Sequence, residues 1–128
     1  MTDRNSSSRR PLTELQQAIL ELIWAKGTAT AEQVRAGLGH RFPLSDSSVR
    51  TLLRRLEARG YLKHSLDGKI FVYEAAMPPQ AVAAGVIKQI IARFWAGSAE
   101  RFLLGMVDEQ VLSPKEIRKL ARRVGKKR

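Results

Sequence analysis

The residues from Leu44 to Tyr73 show two spacings of hydrophobic positions, one typical of a helix and one typical of a hairpin. In the first half, apolar side chains recur at i, i+3, i+4 and i+7, which puts them on one helix face that must pack against other elements. These positions are Val49, Leu52, Leu53 and Leu56. The opposite face carries hydrogen-bond donors, namely Ser47, Thr51 and Arg54, with Arg50 and Arg55 at its edges. The pattern predicts an amphipathic helix with one buried face and one polar, basic face.

Signals at both ends delimit this helix. Asp46, or Ser45 or Ser47 beside it, can cap the start, because a short side-chain oxygen accepts a hydrogen bond from a free backbone N–H there. Gly60 is predicted to end the helix, since glycine adopts the left-handed conformation that closes many helices.

A β-hairpin is predicted directly after this helix. Two β-prone runs, 61–66 and 69–74, are joined by Asp67-Gly68, which is a strong signal for a tight turn whose two central residues take positive φ. A helix of about four turns followed at once by a basic hairpin is typical of a winged helix-turn-helix domain.

The N-terminal part begins with a polar segment and continues as a helix. Residues Met1 to Arg10 are rich in serine and have no periodicity, so we predict that they are disordered. Thr13 and Gln16 have the spacing of a capping box, and a helix is predicted from there to about Lys26. Its apolar stripe is Leu15, Ala18, Ile19, Leu22 and Ile23. Trp24 lies near that stripe and is predicted to belong to the core.

A second, shorter helix is predicted after Gly27. Residues 28–30 are few enough for a turn, or for a short strand that pairs with the later hairpin. Thr30 and Gln33 repeat the capping-box spacing and open a helix to about Leu38. Three helices followed by a hairpin predict a winged-helix DNA-binding domain over residues 11–77, after a disordered segment at 1–10.

The C-terminal part, residues 78–128, is predicted to be a helical dimerisation domain with a basic tail. Met77-Pro78-Pro79 breaks the pattern, and helices are predicted from Gln80 to Trp95, in the next apolar segment, and after Ser113. Too much of their circumference is apolar for one small monomer to cover, which predicts a homodimer. The predicted dimerisation residues are Val86, Ile87, Ile90, Ile91, Phe94, Trp95, Phe102, Leu103 and Met106. The predicted fold class is therefore mainly α with a small β-wing (α+β).

The composition sets limits on compartment and partner. The chain of 128 residues contains no cysteine, which excludes disulfides and thiolate metal sites and favours the cytoplasm. No apolar run approaches the roughly 20 residues of a membrane-spanning helix. The net charge of +11 indicates a polyanionic partner, although +7 of it lies in the last fourteen positions, where a solvated tail is the alternative explanation.

The sequence does not favour an enzyme. Its two histidines are His40, in a predicted loop, and His64, in the first wing strand, and neither has a carboxylate or serine at a spacing typical of a proton relay. Both are predicted to face solvent or phosphate. There is no glycine-rich phosphate loop and no cluster of metal ligands, so we expect no catalytic residue, no metal site and no cofactor.

The polar face of the long helix predicts binding to double-stranded DNA. Arginine can donate two parallel hydrogen bonds to guanine, while serine and threonine can bind bases or phosphates. We predict that the major groove is entered by Ser47, Arg50, Thr51 and Arg54, that phosphate is bound by Ser48 and Arg55, and that Lys69 at the wing tip contacts the backbone or the minor groove. Two alternatives remain: a winged helix that binds another protein, and a basic amphipathic protein that coats anionic membranes.

Several runs along the chain also match a known family. They are L-T-E-L-Q-Q-A-I-L-E-L-I-W-A-K-G-T-A-T, S-S-V-R-T-L-L-R-R-L-E-A-R-G-Y-L, D-G-K-I-F-V-Y, G-S near 97 and V-L-S-P-K-E-I-R-K-L. Together they resemble the penicillinase-repressor family (BlaI, MecI and CopY type) over nearly the whole chain from Leu12. The resemblance implies a dimeric winged-helix repressor that binds a palindromic operator, occludes a promoter and dimerises through its C-terminal helices.

The resemblance also implies how repression ends, and the chain departs from the family there. Members are released by proteolysis in the dimer domain, downstream of a membrane-bound sensor, or by copper through a C-terminal cysteine cluster. The absence of cysteine excludes the copper route. Gly105-Met106 stands where the cleaved members carry Asn-Phe, which argues against a signalling protease as partner. Asp46 replaces a tyrosine common just before the Thr-Thr pair, matched here by Ser47-Ser48, so a different operator sequence is expected.

Overall fold

The structure is a computed structural model that describes residues 10–127. In this part of the chain it contains six helices and three short strands. In chain order these are α1 (Glu14–Lys26), β1 (Thr28–Ala29), α2 (Ala31–Leu38), α3 (Asp46–Ala58), β2 (Leu62–Asp67), β3 (Ile70–Ala75), α4 (Pro79–Phe94), α5 (Ala99–Asp108) and α6 (Pro114–Lys127). The predicted disordered segment lies outside the described residues, apart from Arg10.

Side-chain caps begin α1, α2, α3 and α6, as the spacing of their polar residues predicts. In α1 the Gln16 N–H donates to the Thr13 hydroxyl at 3.0 Å, and the Thr13 N–H donates to the Gln16 side chain at 2.9 Å. The same reciprocal pair starts α2 and α6. Of the alternatives at the start of α3, Ser45 is the cap, because its hydroxyl accepts from the Ser48 N–H at 3.2 Å. Each cap satisfies backbone N–H groups that have no partner inside the helix.

Helix α3 ends where a glycine was expected to end it. The last helical residue is Ala58, and Gly60 has φ +89°, a left-handed conformation that glycine adopts without steric cost. The Tyr61 N–H then donates to the Leu56 carbonyl at 3.0 Å, which satisfies a carbonyl at the helix end and turns the chain into β2.

The strands form one antiparallel sheet in the order β1-β3-β2. Thr28 pairs with Glu74, which confirms that the residues after α1 form a short strand against the hairpin. The predicted turn was wrong by one residue: Asp67 pairs with Ile70, so the central residues are Gly68 and Lys69. Only Gly68 has positive φ, +65°. A turn of this kind spares Asp67 the positive φ that the predicted frame would have required.

The hydrophobic core lies in the first of two compact units into which the chain divides, residues up to Val86 and residues from Ile87 onward. Its buried side chains come from α1, β1, α2, α3 and the hairpin, and include Ile19, Ile23, Val34, Val49, Leu53, Leu56, Leu62 and Tyr73. Trp24 packs against this core, and its indole N–H donates to the Met77 carbonyl at 3.1 Å, which confirms its predicted place.

The second unit has a different character from the first. Among residues 87–127, the structure buries no side chain, although this stretch contains the second half of α4 and all of α5 and α6. Trp95 makes edge-on ring contacts with Phe94 and Phe102, with centroids 6.2 and 5.3 Å apart. None of the helices within residues 10–127 has both the length and the hydropathy of a bilayer-crossing segment.

Candidate nucleic-acid interface

The two faces of α3 differ as the hydrophobic pattern predicts. Val49, Leu53 and Leu56 are 0% exposed and anchor the helix in the core of the first unit. The predicted contact residues lie on the other side: the exposed ones are Ser47, Arg50, Arg54 and Arg55, and Ser48 and Thr51 are half-buried. Lys69 is exposed at the tip of the hairpin, which we call the wing. Burial of the apolar face therefore fixes which side chains point outward.

The cations of this surface are not neutralised by neighbouring acids. Within residues 10–127, no carboxylate lies within 4.0 Å of the charged groups of Arg50, Arg54, Arg55 or Lys69. Arg54 has one side-chain hydrogen bond in that part of the chain, a 3.4 Å contact from Nη2 to the Thr51 hydroxyl. Unpaired guanidinium groups on a rigid helix are available to an anionic partner.

The polar residues of α3 lie along two separate hollows. The helix-side hollow, about 320 Å³, is lined by Ser47, Ser48, Thr51, Leu52 and Arg55. The wing-side hollow, about 430 Å³, lies between α3, the start of α2 and the wing, and is lined by Thr30, Ala31, Glu32, Arg50, Arg54, Lys69, Ile70, Phe71 and Tyr73. The predicted contact set is therefore divided between the two sides of one helix, a division that residue spacing alone did not show.

An ion pair joins α2 to the first turn of α3. Arg35 Nε lies 2.8 Å from a carboxylate oxygen of Asp46, and the two side chains are 44% and 57% exposed. A pair this open contributes about 0–1 kcal/mol to stability. Asp46 therefore serves as the partner of Arg35, while the capping role belongs to Ser45.

His64 is exposed, as expected, but it also has a carboxylate partner that the sequence did not indicate. Its Nδ1 lies 2.8 Å from both carboxylate oxygens of Glu57, in the last turn of α3. Its ring also stacks on Phe71, with centroids 4.2 Å apart and planes 7° apart. Sequence reasoning missed this pair because Glu57 and His64 belong to different elements. The tight connection at Gly60 was the available signal, since it folds the start of β2 back beside the end of α3.

Tyr73 lies in the same cluster and is 3% exposed. Burial raises the pKa of Tyr73 above its ordinary value; the negative charge of Glu57 raises this pKa further, and Arg54 lowers it. The phenol therefore stays protonated at neutral pH.

A comparison with protein families identifies the chain. A family model described as "Penicillinase repressor" matches residues 12–126. The chain belongs to the penicillinase repressor family. It is therefore a DNA-binding transcriptional repressor with a winged-helix fold, and it is not an enzyme. The predictions of family, fold class and repressor function are confirmed.

Individual relatives of this repressor are distant but cover most of its length. The methicillin resistance regulatory protein MecI of Staphylococcus aureus is 25% identical over 116 residues, 91% of this chain and 94% of MecI. The penicillinase repressor of Bacillus licheniformis is 23% identical over 109 residues, 85% of each chain. A transcriptional regulator of Thermotoga maritima, at 20% identity, shares the fold with a TM-score of 0.50 over 97% of this chain and 82% of its own.

The predicted dimerisation residues are incompletely covered. Ile87, Phe94 and Leu103 are exposed, Phe94 to 69%. The others are half-buried: Val86, Ile90, Ile91, Trp95, Phe102 and Met106. Further apolar side chains that the prediction omitted are also exposed, namely Leu104, Val111, Leu120 and Val124. Leu120 and Val124 are four residues apart in α6, a helical spacing that could have added them to the predicted set.

Gly105 lies inside α5 and close to Trp95. A Cβ atom at this position would come 3.1 Å from the indole nitrogen and 3.2 Å from Cζ2. Glycine therefore permits the close approach of α5 to the indole ring. Within residues 10–127, no group of acidic, histidine or cysteine side chains is arranged to hold a metal ion.

Proposed function

We propose that this repressor acts as a homodimer that binds a palindromic operator and occludes a promoter. The observation that carries the proposal is the outward face of α3, where exposed arginines have no acidic partner among the described residues and are held in place by a fully buried apolar face. Acids three or four residues away can pair with helix cations, and α3 has Asp46 and Glu57 at such spacings. In the structure these two carboxylates pair instead with Arg35 and His64, which leaves the arginines of α3 without them.

The role of each contact residue follows from its chemistry. In the proposal, the residues that meet base edges in the major groove are Ser47, Arg50, Thr51 and Arg54, because arginine matches guanine O6 and N7 and hydroxyls can both donate and accept. Ser48 and Arg55 bind phosphate, and Lys69 contacts the backbone or the minor groove. Phosphate contacts set the register of the helix on the duplex, while base contacts determine the sequence.

The proposed division of labour places DNA binding in residues 11–77 and dimerisation in residues 78–128. What supports the second part is that no side chain among residues 87–127 is buried, while Phe94, Leu103 and Leu104 are exposed by 69%, 41% and 59%. Helices gain most of their stability from burying an apolar face, so these helices require a partner surface. A second copy of the chain supplies one through a twofold axis, and the same axis gives two half-sites in the DNA.

The proposed release of repression does not use the protease-cleaved bond of other members. The bond between Gly105 and Met106 lies inside α5, and an asparagine at 105 would fit only if the Trp95 ring moved, because its Cβ would come 3.1 Å from the indole nitrogen. Because its partner is DNA, we propose that the repressor acts in the cytoplasm.

The experiment combines operator selection with a mass measurement. Duplexes that bind the full-length chain are recovered from a random-sequence library, and light scattering gives the mass of the protein alone and with the selected duplex. We expect two chains without DNA, and two chains on one duplex with twofold-related half-sites. A monomer that binds a single asymmetric site would refute the dimer, and recovery of no preferred sequence would refute operator binding.

A further inference from the structure

Glu57 and His64 connect the recognition helix to the wing. Glu57 lies in the last turn of α3, one turn after Arg54 and two turns after Arg50. His64 Nδ1 lies 2.8 Å from each of the two carboxylate oxygens of Glu57. The side chain of Glu57 is 30% exposed and that of His64 is 31% exposed. A contact of this length to both oxygens is a charge-assisted hydrogen bond that restricts both side chains.

Aromatic contacts continue from His64 toward the wing tip. His64 is the direct cross-strand partner of Tyr73, and its ring stacks on Phe71 across the diagonal. Phe71 in turn contacts the ring of buried Tyr73, with centroids 6.2 Å apart. Diagonal neighbours across an antiparallel pair are within reach of aromatic side chains. Lys69 precedes Phe71 by two residues, so the contacts reach the turn that carries the wing cation.

We propose that Glu57 and His64 form a helix–wing strut, which sets the position of the wing relative to α3 and so acts as a determinant of operator specificity. This inference rests on the proposed DNA contacts of α3 and Lys69. In the proposed complex, α3 contacts bases while the wing contacts the same duplex, so the distance between α3 and the wing must match the DNA. The hydrogen bond between Glu57 and His64 joins these two elements. His64 and Glu57 are positioning residues, because they act through the wing and do not themselves read DNA.

The strut has a second, electrostatic effect. Glu57 follows Arg54 by three residues on the same stripe of α3. In the proposed complex its carboxylate therefore lies near the DNA phosphates. A free carboxylate there would repel DNA, whereas a hydrogen bond from the imidazole draws its charge toward the wing. Loss of His64 should therefore weaken binding to every DNA sequence. Loss of both His64 and Glu57 should restore the affinity for DNA of any sequence, while the preference for the operator stays reduced.

The domain does not need the strut to fold, because the strut is proposed to position only the outer part of the wing, which begins beyond Leu62 and Tyr73. Leu62 and Tyr73, 2% and 3% exposed, anchor the wing in the core, and the hydrogen bond from Tyr61 N–H to the Leu56 carbonyl holds the connection to α3. Variants at His64 and Glu57 can therefore be compared as folded proteins, with thermal unfolding as the check.

The test measures affinity of full-length variants for the selected operator and for a scrambled duplex of equal length. His64→Leu should weaken binding to both duplexes. It should also lower the specificity ratio, which is the dissociation constant for the scrambled duplex divided by that for the operator, by about three- to tenfold, since side chains in direct contact have coupling energies of this order. The double variant His64→Leu with Glu57→Leu should bind the scrambled duplex as tightly as wild type does. Its specificity ratio should stay as low as that of His64→Leu. His64→Asn retains an N–H donor near the position of Nδ1. This variant should therefore have the wild-type affinity for the scrambled duplex and the wild-type specificity ratio.

The outcomes separate the strut from the function it serves. If wild type shows no preference for a selected operator, the proposed function fails and the strut fails with it. If wild type shows the preference and His64→Leu keeps the same ratio, the strut alone is wrong. If His64→Leu unfolds at a lower temperature than wild type, the specificity ratios of His64→Asn and His64→Ala are compared instead. Only asparagine retains the N–H donor, so equal ratios in these two variants also overturn the proposal.

Discussion

Replacing Arg54 by alanine tests the proposed recognition face with little effect on folding. Arg54 is exposed, has no carboxylate within 4.0 Å in residues 10–127, and has only the 3.4 Å contact to Thr51 as a side-chain hydrogen bond there. Surface substitutions without a buried partner change the free energy of unfolding by less than about 0.5 kcal/mol. We therefore expect the variant to unfold within that margin of wild type, so that a loss of binding reports the interface.

The magnitude of the binding loss follows from the contact and its multiplicity. An arginine that donates two hydrogen bonds to guanine contributes ~1–3 kcal/mol of discrimination. The proposed dimer presents Arg54 twice, so the loss on a palindromic operator is about 2–6 kcal/mol. At ~1.4 kcal/mol for each factor of ten, the dissociation constant rises roughly 30-fold to 20,000-fold. On a scrambled duplex, only the general attraction of one charge per protomer is lost.

Fluorescence anisotropy titrations of the operator and of a scrambled duplex, each at several salt concentrations, measure these effects. Arg101→Ala removes the same charge from an exposed position in the first turn of α5 and serves as the control. Equal losses on both duplexes would show that Arg54 binds phosphate and does not read bases. An affinity for the operator unchanged from wild type would refute the assignment of α3 as the recognition helix.

Three further substitutions test the core, the second unit and the dimer. Leu53→Ala, at a side chain that is 0% exposed, should lower the free energy of unfolding by about 2–5 kcal/mol in urea titrations. Gly105→Asn should destabilise the chain by about 1–3 kcal/mol more than Gly125→Asn in thermal unfolding, because a Cβ at 105 meets Trp95 while the space around 125 is open. Phe94→Glu, at a side chain 69% exposed, should give a monomer by light scattering; a dimer would show that this face is not the interface.

Features that depend on neighbouring residues could be predicted from the sequence. The capping boxes at Thr13 and Thr30 lie three residues apart from their partners, so spacing alone identifies them. The apolar stripe of α3 identified its buried face, because helix periodicity determines which side chains share a face. The family resemblance extended this local information to a function.

Features that depend on residues meeting across elements required the tertiary structure. The turn lies at Gly68 and Lys69 because the pairing of whole strands, together with the cost of positive φ at Asp67, decides the frame. Glu57 and His64 are both visible in the sequence, but their hydrogen bond exists only because the core places the wing beside the end of α3. Periodicity specifies which face of an element is apolar; only packing specifies what each polar side chain then meets, since that depends on the register and direction of every neighbouring element.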